Sequence, residues 1–233
     1  MKTKTAMILA AGYGKRLLPI TSKIPKPMIE VYNKPLLGYA IDILVSIGIK
    51  KIFVNTHYKK NIINNYIVSQ YKYLDINQIY EPNLLDTGGA VKNACKFFKE
   101  KFILVLNSDT FWNSATKKDL LNILNHSNYN NFKCLLLLSR IQNTYGLKIN
   151  LGDFKIIKNN ILRNKSKNQG LVYTGAQIID TDVFDLFNDE VFSFNKVWDL
   201  LIKKKEITAV LTKSNILHLG NINGFSYLNT FNT

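Results

Sequence analysis

Three groups of residues in this chain have the types and spacing to act on phosphates. The first is Gly12-Tyr13-Gly14-Lys15-Arg16, directly after the apolar run Ala6-Met7-Ile8-Leu9. Glycines one residue apart let a chain turn tightly, with no side chain between the backbone N–H groups and an anion. Lys15 and Arg16 add positive charge at the rim of that turn. The second group is Lys26, set between Pro25 and Pro27. Those prolines stiffen the backbone on either side and carry no competing N–H. The third is Asp109, in Asn107-Ser108-Asp109-Thr110 after the apolar run at 102–106. A carboxylate opposite a phosphate loop suits Mg²⁺, which takes one or two carboxylates and completes its shell with phosphate oxygens and water. The chemistry implied is charge neutralisation on a polyphosphate, since no Ser/His/Asp or Cys/His constellation competes with it. Neither common phosphate motif fits the loop. Lys15 lacks the upstream glycine of G-x-x-x-x-G-K-[ST] and is followed by Arg16, and Leu17 stands where the dinucleotide fingerprint needs its third glycine.

These side chains can meet only if strand ends meet. The run at 102–106 is apolar without alternation, as in a strand buried on both faces. Residues 6–9, 51–55, 76–80, 133–139 and 171–179 read as further strands. Leu37, Ile41 and Leu44 recur at helical spacing, with Pro35 at the start and Gly48 past the end, and predict a helix over 35–47. Helices also follow at 61–69, 118–124 and 194–202, and a hairpin with a polar loop at 150–170. Thr87-Gly88-Gly89 precede the stripe Val91, Cys95 and Phe98, so these glycines open a helix where a flat ring could approach the backbone. His57, at the end of the second strand, reads as a structural histidine. Alternating strands and helices predict one doubly wound, Rossmann-like α/β domain over 1–233, with a mixed, mostly parallel central sheet. Ligands of such sheets bind at the carboxyl ends of the strands.

Composition narrows the class. The 233 residues carry 46% hydrophobic side chains, which is globular, and a formal net charge of +15. That charge suits nucleoside triphosphates and sugar phosphates as well as it suits nucleic acid. The lysines are scattered, with no RNP, zinc or helix-turn-helix signature, so nucleic acid is not the expected partner. No run of about eighteen apolar residues is present, and Met1 to Lys4 leads into the first strand without an apolar leader. Cys95 and Cys134 lack C-x-x-C pairing and read as reduced core thiols. A cytoplasmic protein with no membrane partner is expected.

The motif Leu9-Ala10-Ala11-Gly12-Tyr13-Gly14-Lys15-Arg16, continued by Pro19-Ile20-Thr21 and Pro25-Lys26-Pro27-Met28, resembles the signature of the sugar-1-phosphate nucleotidylyltransferases. Leu85-Asp86-Thr87-Gly88-Gly89 is especially similar to the short N-acetylmuramate-1-phosphate uridylyltransferases and the mannose-1-phosphate guanylyltransferases. The resemblance implies transfer of a nucleotidyl group from an NTP, UTP favoured, to a sugar 1-phosphate, with Mg²⁺ as cofactor. It implies catalytic roles for Arg16, Lys26 and Asp109, with Asp109 the metal ligand. Leu9, Ala10, Ala11, Gly12, Gly14, Lys15, Thr87, Gly88 and Gly89 would bind the nucleotide. Gly146, Tyr173, Thr174 and Gly175 would line the sugar. One departure stands out: His218, in Leu217-His218-Leu219-Gly220, occupies the place of the family's second metal-binding Asp. No hexapeptide repeat follows, so an attached β-helix domain is not expected. Two other readings stay open at this point. One is a cytidylyltransferase acting on a phospho-alcohol such as phosphocholine. The other is a non-catalytic nucleotide-sugar binder, motivated by His218.

Overall fold

The structure, a computed structural model, describes residues 3–126, 131–147, 152–165 and 170–231. Nine strands form one sheet: β1 (Thr5–Leu9), β2 (Lys51–Thr56), β3 (Asp75–Tyr80), β4 (Phe102–Asn107), β5 (Cys134–Arg140), β6 (Phe154–Ile157), β7 (Asn160–Arg163), β8 (Leu171–Asp180) and β9 (Ile207–Leu211). Five α-helices of eight or more residues accompany them: α1 (Leu36–Ser46), α2 (Lys60–Tyr71), α3 (Asp86–Cys95), α4 (Lys117–Leu124) and α5 (Phe194–Lys204). The order along the sheet is β7-β6-β8-β4-β1-β2-β3, with β5 pairing β8 and β9. The portion β3-β2-β1-β4 is parallel throughout, and β8 runs antiparallel to β4, β5 and β6. The sheet is thus mixed around a parallel centre, as the sequence pattern predicts. The expected hairpin is β6–β7; residues 150–151 and 166–169 of that stretch lie outside the described residues.

Alternation along β1 shows how the layers form. Ala6 and Ile8 face one core, together with Leu37, Ile41 and Leu44 of α1, Ile63 and Ile67 of α2, and Leu120 and Ile123 of α4. Met7 faces the opposite core, with Val91 and Ala94 of α3 and Val197 and Leu201 of α5. Both faces of the sheet are covered, which explains the near-continuous apolar character of the central strands. A third cluster, with Leu17, Ile29, Phe111, Leu217 and Leu219, packs beneath the loops at the carboxyl edge. Both cysteines are free, and burial pushes the Cys95 thiol up to about 12 and Cys134 higher still. They are packing residues, not nucleophiles. Among the described residues no helix is long and apolar enough to cross a membrane.

Candidate active site

In the parallel portion, β1 lies between β2 and β4, so the chain leaves the carboxyl end of β1 where the winding reverses direction. This is the crevice in which open α/β sheets bind ligands. A cavity of about 440 Å³ opens there. Its walls come from four strand ends: Leu9 to Gly12 after β1, Asn55 on β2, Glu81 after β3, and Asn107 to Asp109 at the end of β4. Arg16, Lys26, Pro27, Leu84, Asp86, Thr87 and Val191 complete the lining.

The charged residues singled out in the sequence meet in this cavity. Lys26 Nζ forms an ion pair with Asp109 Oδ2, and the two side chains are 13% and 24% exposed. Both remain reachable from solvent. Burial alone would raise the Asp109 carboxyl, but Lys26, reinforced by His218 and Arg16, holds it below the ordinary carboxylate value. Gly220 lies against this group: a Cβ there would sit 3.0 Å from Asp109 Oδ2, 3.3 Å from Lys26 Nζ and 3.7 Å from an Arg16 guanidinium nitrogen. The loop is anchored at its base, where Ala10 N–H donates to Asn55 Oδ1 (2.8 Å) and the Ser108 hydroxyl donates to the Leu9 carbonyl (2.7 Å).

Other sequence-singled residues stand further back. Gly14 turns the loop, and its carbonyl accepts from Leu17 N–H and the Thr21 hydroxyl. A Cβ on Gly14 would press on Thr21 Cγ2 at 2.8 Å. Lys15 is exposed, with its ammonium 5.5 Å from the Tyr13 ring centroid and outside the cavity lining. Thr87 lines the cavity, whereas Gly88 and Gly89 are buried behind it and both donate to the Phe192 carbonyl at 2.9 Å. A Cβ on Gly88 would meet the Phe192 ring at 2.6 Å, so close packing of that segment on the start of α3 explains the small residue there.

Gly146, Tyr173, Thr174 and Gly175, the expected sugar residues, lie outside the lining of this cavity; Gly146 packs on the His218 backbone, and Thr174 and Gly175 on Thr110. The register of β8 on β5 shifts between Tyr173 and Gln177, and Gly175 adopts φ +95° within that bulge. A Cβ there would meet Thr110 Oγ1 at 2.7 Å, so glycine is what lets β8 close on the end of β4. The Thr110 hydroxyl donates to the Thr174 carbonyl at 2.8 Å. That commits its hydrogen, and the contact to His218 Nδ1 at 3.3 Å is then donated by the imidazole. The Nε2 lone pair of buried His218 finds no partner among the described residues, and the same holds for the Tyr173 hydroxyl. Gly146 takes φ +80°, and a Cβ on it would run into the His218 carbonyl. Gly146→Ala is expected to lower stability by at least about 1–3 kcal/mol, measured by urea unfolding, because strain and clash coincide.

Burial pushes the His218 imidazole down to about 4; the Asp109 carboxylate opposes that shift and Lys26 reinforces it. The folded value lies below the unfolded one of about 6.5. Stability from this group is therefore fully present above about pH 6.5 and lost as pH falls toward 4, because only the unfolded chain takes up the proton. Unfolding free energies measured across that window should slope downward on acidification, and His218→Asn should flatten the slope.

Asp109 is the carboxylate that meets Lys26 and Arg16 in this cavity, and it is the residue that would hold a Mg²⁺ ion. Among the described residues no group of three or more His, Cys, Asp or Glu could hold a metal. The donor set fits an ion that draws its other ligands from phosphates and water.

Sequence reasoning missed Glu81. Its side chain is 1% exposed, yet it lines the cavity, with Asn55 Nδ2 donating to Oε1 (2.8 Å) and Leu85 N–H to Oε2 (3.2 Å). Burial raises its carboxyl, and both hydrogen bonds act against that. The available signal was an acidic residue at the carboxyl end of β3, in line with the ends of β1, β2 and β4.

Fold and site together define an α/β nucleotidyltransferase, and comparison with known proteins agrees. Residues 5–158 match the family model for nucleotidyl transferases. The chain is 30% identical over 218 residues, 92% of its own length and 94% of the other's, to a D-glycero-alpha-D-manno-heptose 1-phosphate guanylyltransferase of Campylobacter jejuni. It is 26% identical over 223 residues, 93% and 92% of the two chains, to an N-acetylmuramate alpha-1-phosphate uridylyltransferase of Caulobacter vibrioides. The crystal structure of HddC from Yersinia pseudotuberculosis superposes with a TM-score of 0.75 at 25% identity, over 97% of this chain and 99% of that one. The chain belongs to the nucleotidyl transferase family, in the sugar-1-phosphate branch.

Proposed function

We propose that this protein joins a nucleoside triphosphate to a sugar 1-phosphate, giving a nucleotide-sugar and pyrophosphate. The observation that carries the reading is the meeting of Arg16, Lys26 and Asp109 in one cavity under a glycine-containing loop. An oxygen of the sugar phosphate attacks the α-phosphorus, and the bond to the β-phosphate oxygen breaks. The attacking group is already ionised, so the site must orient it and neutralise charge rather than remove a proton. Lys26 screens the reacting phosphates and Arg16 holds the departing β- and γ-phosphates. Asp109 would hold Mg²⁺, which supplies further charge neutralisation on the triphosphate when bound. The sugar would lie toward Gly146 and Tyr173 to Gly175. A cytoplasmic location, where triphosphates and sugar phosphates are found, is part of this reading.

Glu81 favours guanine as the base. Its two oxygens each accept one internal hydrogen bond, which leaves each a further acceptor site. Guanine presents adjacent donors, N1–H and N2–H₂, to such a pair. Uracil offers one N–H flanked by two carbonyl oxygens, which a carboxylate repels. UTP, favoured by the resemblance of Leu85 to Gly89, is the competing reading. The relatives include guanylyl and uridylyl transferases by name and do not separate the two.

The test is a product assay with GTP, UTP, CTP and dTTP, each paired with mannose, glucose, N-acetylglucosamine and muramate 1-phosphates and with phosphocholine, with Mg²⁺ and with EDTA. A metal-dependent nucleotide-sugar formed from GTP is expected. Product from CTP and phosphocholine alone would replace this reading with the phospho-alcohol one. Tight nucleotide binding with no product would favour the non-catalytic binder.

A further inference from the structure

We propose that Tyr13 and His57 are positioning residues that tie the apex of the phosphate loop to the cavity edge bearing Glu81. The tie holds the triphosphate and nucleoside halves of the substrate in one register, and it rests on the reading of this cavity as an NTP site.

His57 Nδ1 lies 2.7 Å from the Glu81 carbonyl oxygen, which can only accept, so Nδ1 carries the hydrogen. Nε2 is then an acceptor, and Tyr13 Oη, 2.9 Å away, donates to it. The chain runs one way: Tyr13 O–H to His57, and His57 N–H to the backbone of Glu81. The Tyr13 ring also meets His57 edge-on at 5.2 Å and Tyr58 at 5.7 Å, and the Tyr58 hydroxyl donates to the Thr21 carbonyl beyond the loop at 3.0 Å.

Packing at this apex comes from the Tyr13 ring contacts with His57 and Tyr58, which Tyr13→Phe keeps. Tyr13 is 42% exposed, and a Cβ on Gly12 would meet nothing within 4 Å. The base of the loop already reaches the same residue, through Ala10 N–H to Asn55 and Asn55 to the Glu81 carboxylate. Glu81 thus anchors both ends of the loop, its side chain the near end and its carbonyl the apex. A base seated on Glu81 and a triphosphate seated on the loop would share one rigid frame.

The experiment is calorimetric binding, without acceptor, of GTP and UTP and of guanosine and uridine to the wild type, Tyr13→Phe, His57→Gln and the double variant. Circular dichroism and melting confirm that each is folded. Loss of one hydrogen bond weakens triphosphate binding by about three- to tenfold in either variant. The matching nucleoside binds unchanged, and the double variant is no weaker than the singles because they remove one tie. In turnover, KM for the triphosphate rises and kcat does not follow it. Triphosphate binding unchanged in folded Tyr13→Phe, or an equal loss for nucleoside and triphosphate, overturns the tie. A wild type that binds neither triphosphate overturns the NTP reading, and the tie with it.

Discussion

Replacing Lys26 by alanine is expected to lower turnover by about 10²–10³-fold, the usual loss for a preorganised electrostatic group in an acyl- or phosphoryl-transfer site. Two features make the effect large. Lys26 is the cation paired with Asp109, and it opposes the rise that burial would impose on that carboxyl. Without it, Asp109 loses its ion-pair partner and the incoming phosphates lose the cation that screens them. The fold should survive the change. Pro25 and Pro27 still set the backbone, and the Lys26 carbonyl still accepts from Ile29 N–H at 3.1 Å. Steady-state kinetics and a melting curve on the same preparation separate the two outcomes. A folded variant with wild-type turnover would remove Lys26 from the chemistry.

The second large effect is expected at Glu81. Glu81→Gln keeps the size of the side chain but turns one acceptor into a donor, so the pair of acceptors offered to guanine is lost. A bidentate base contact is worth about 1–3 kcal/mol, so the ratio of kcat/KM for GTP over UTP should fall by about ten- to a hundredfold. The variant amide can still accept from Asn55 or from Leu85, which limits the structural cost. A variant whose preference for GTP over UTP stays at the wild-type value would show that Glu81 only braces Asn55, and that the base is read elsewhere.

Much of the site was legible because the parallel sheet does the assembly. Each of the segments following Leu9 and Leu106 had to leave a strand end on the same edge, so apolar runs followed by glycine or acid already implied a meeting point. The helix predicted over 35–47 forms as Leu36–Ser46, its limits set by local signals. What stayed hidden depends on contacts distant in sequence. Gly88 and Gly89 look like an open approach to a base, yet their N–H groups go to Phe192, a residue that only the fold brings near. The bulge at Thr174 and Gly175 follows from β8 having to pair with β4 and β5 at once, which no periodicity encodes. Glu81 is hidden for the same reason: its importance lies in Asn55 and His57, at a neighbouring strand end. That His218 stands where the resemblance implies an acid was legible. Its pairing with Thr110, which settles which ring nitrogen carries the hydrogen, was not.

The most direct test of the central claim follows phosphorus from one triphosphate, labelled at both α and γ, incubated with Mg²⁺ and a sugar 1-phosphate. Transfer by attack on the α-phosphorus puts the α label in a nucleotide-sugar and the γ label in pyrophosphate, in equal amounts and only when the sugar phosphate is present. Release of γ-labelled orthophosphate, or loss of label at the same rate without the sugar phosphate, would contradict it.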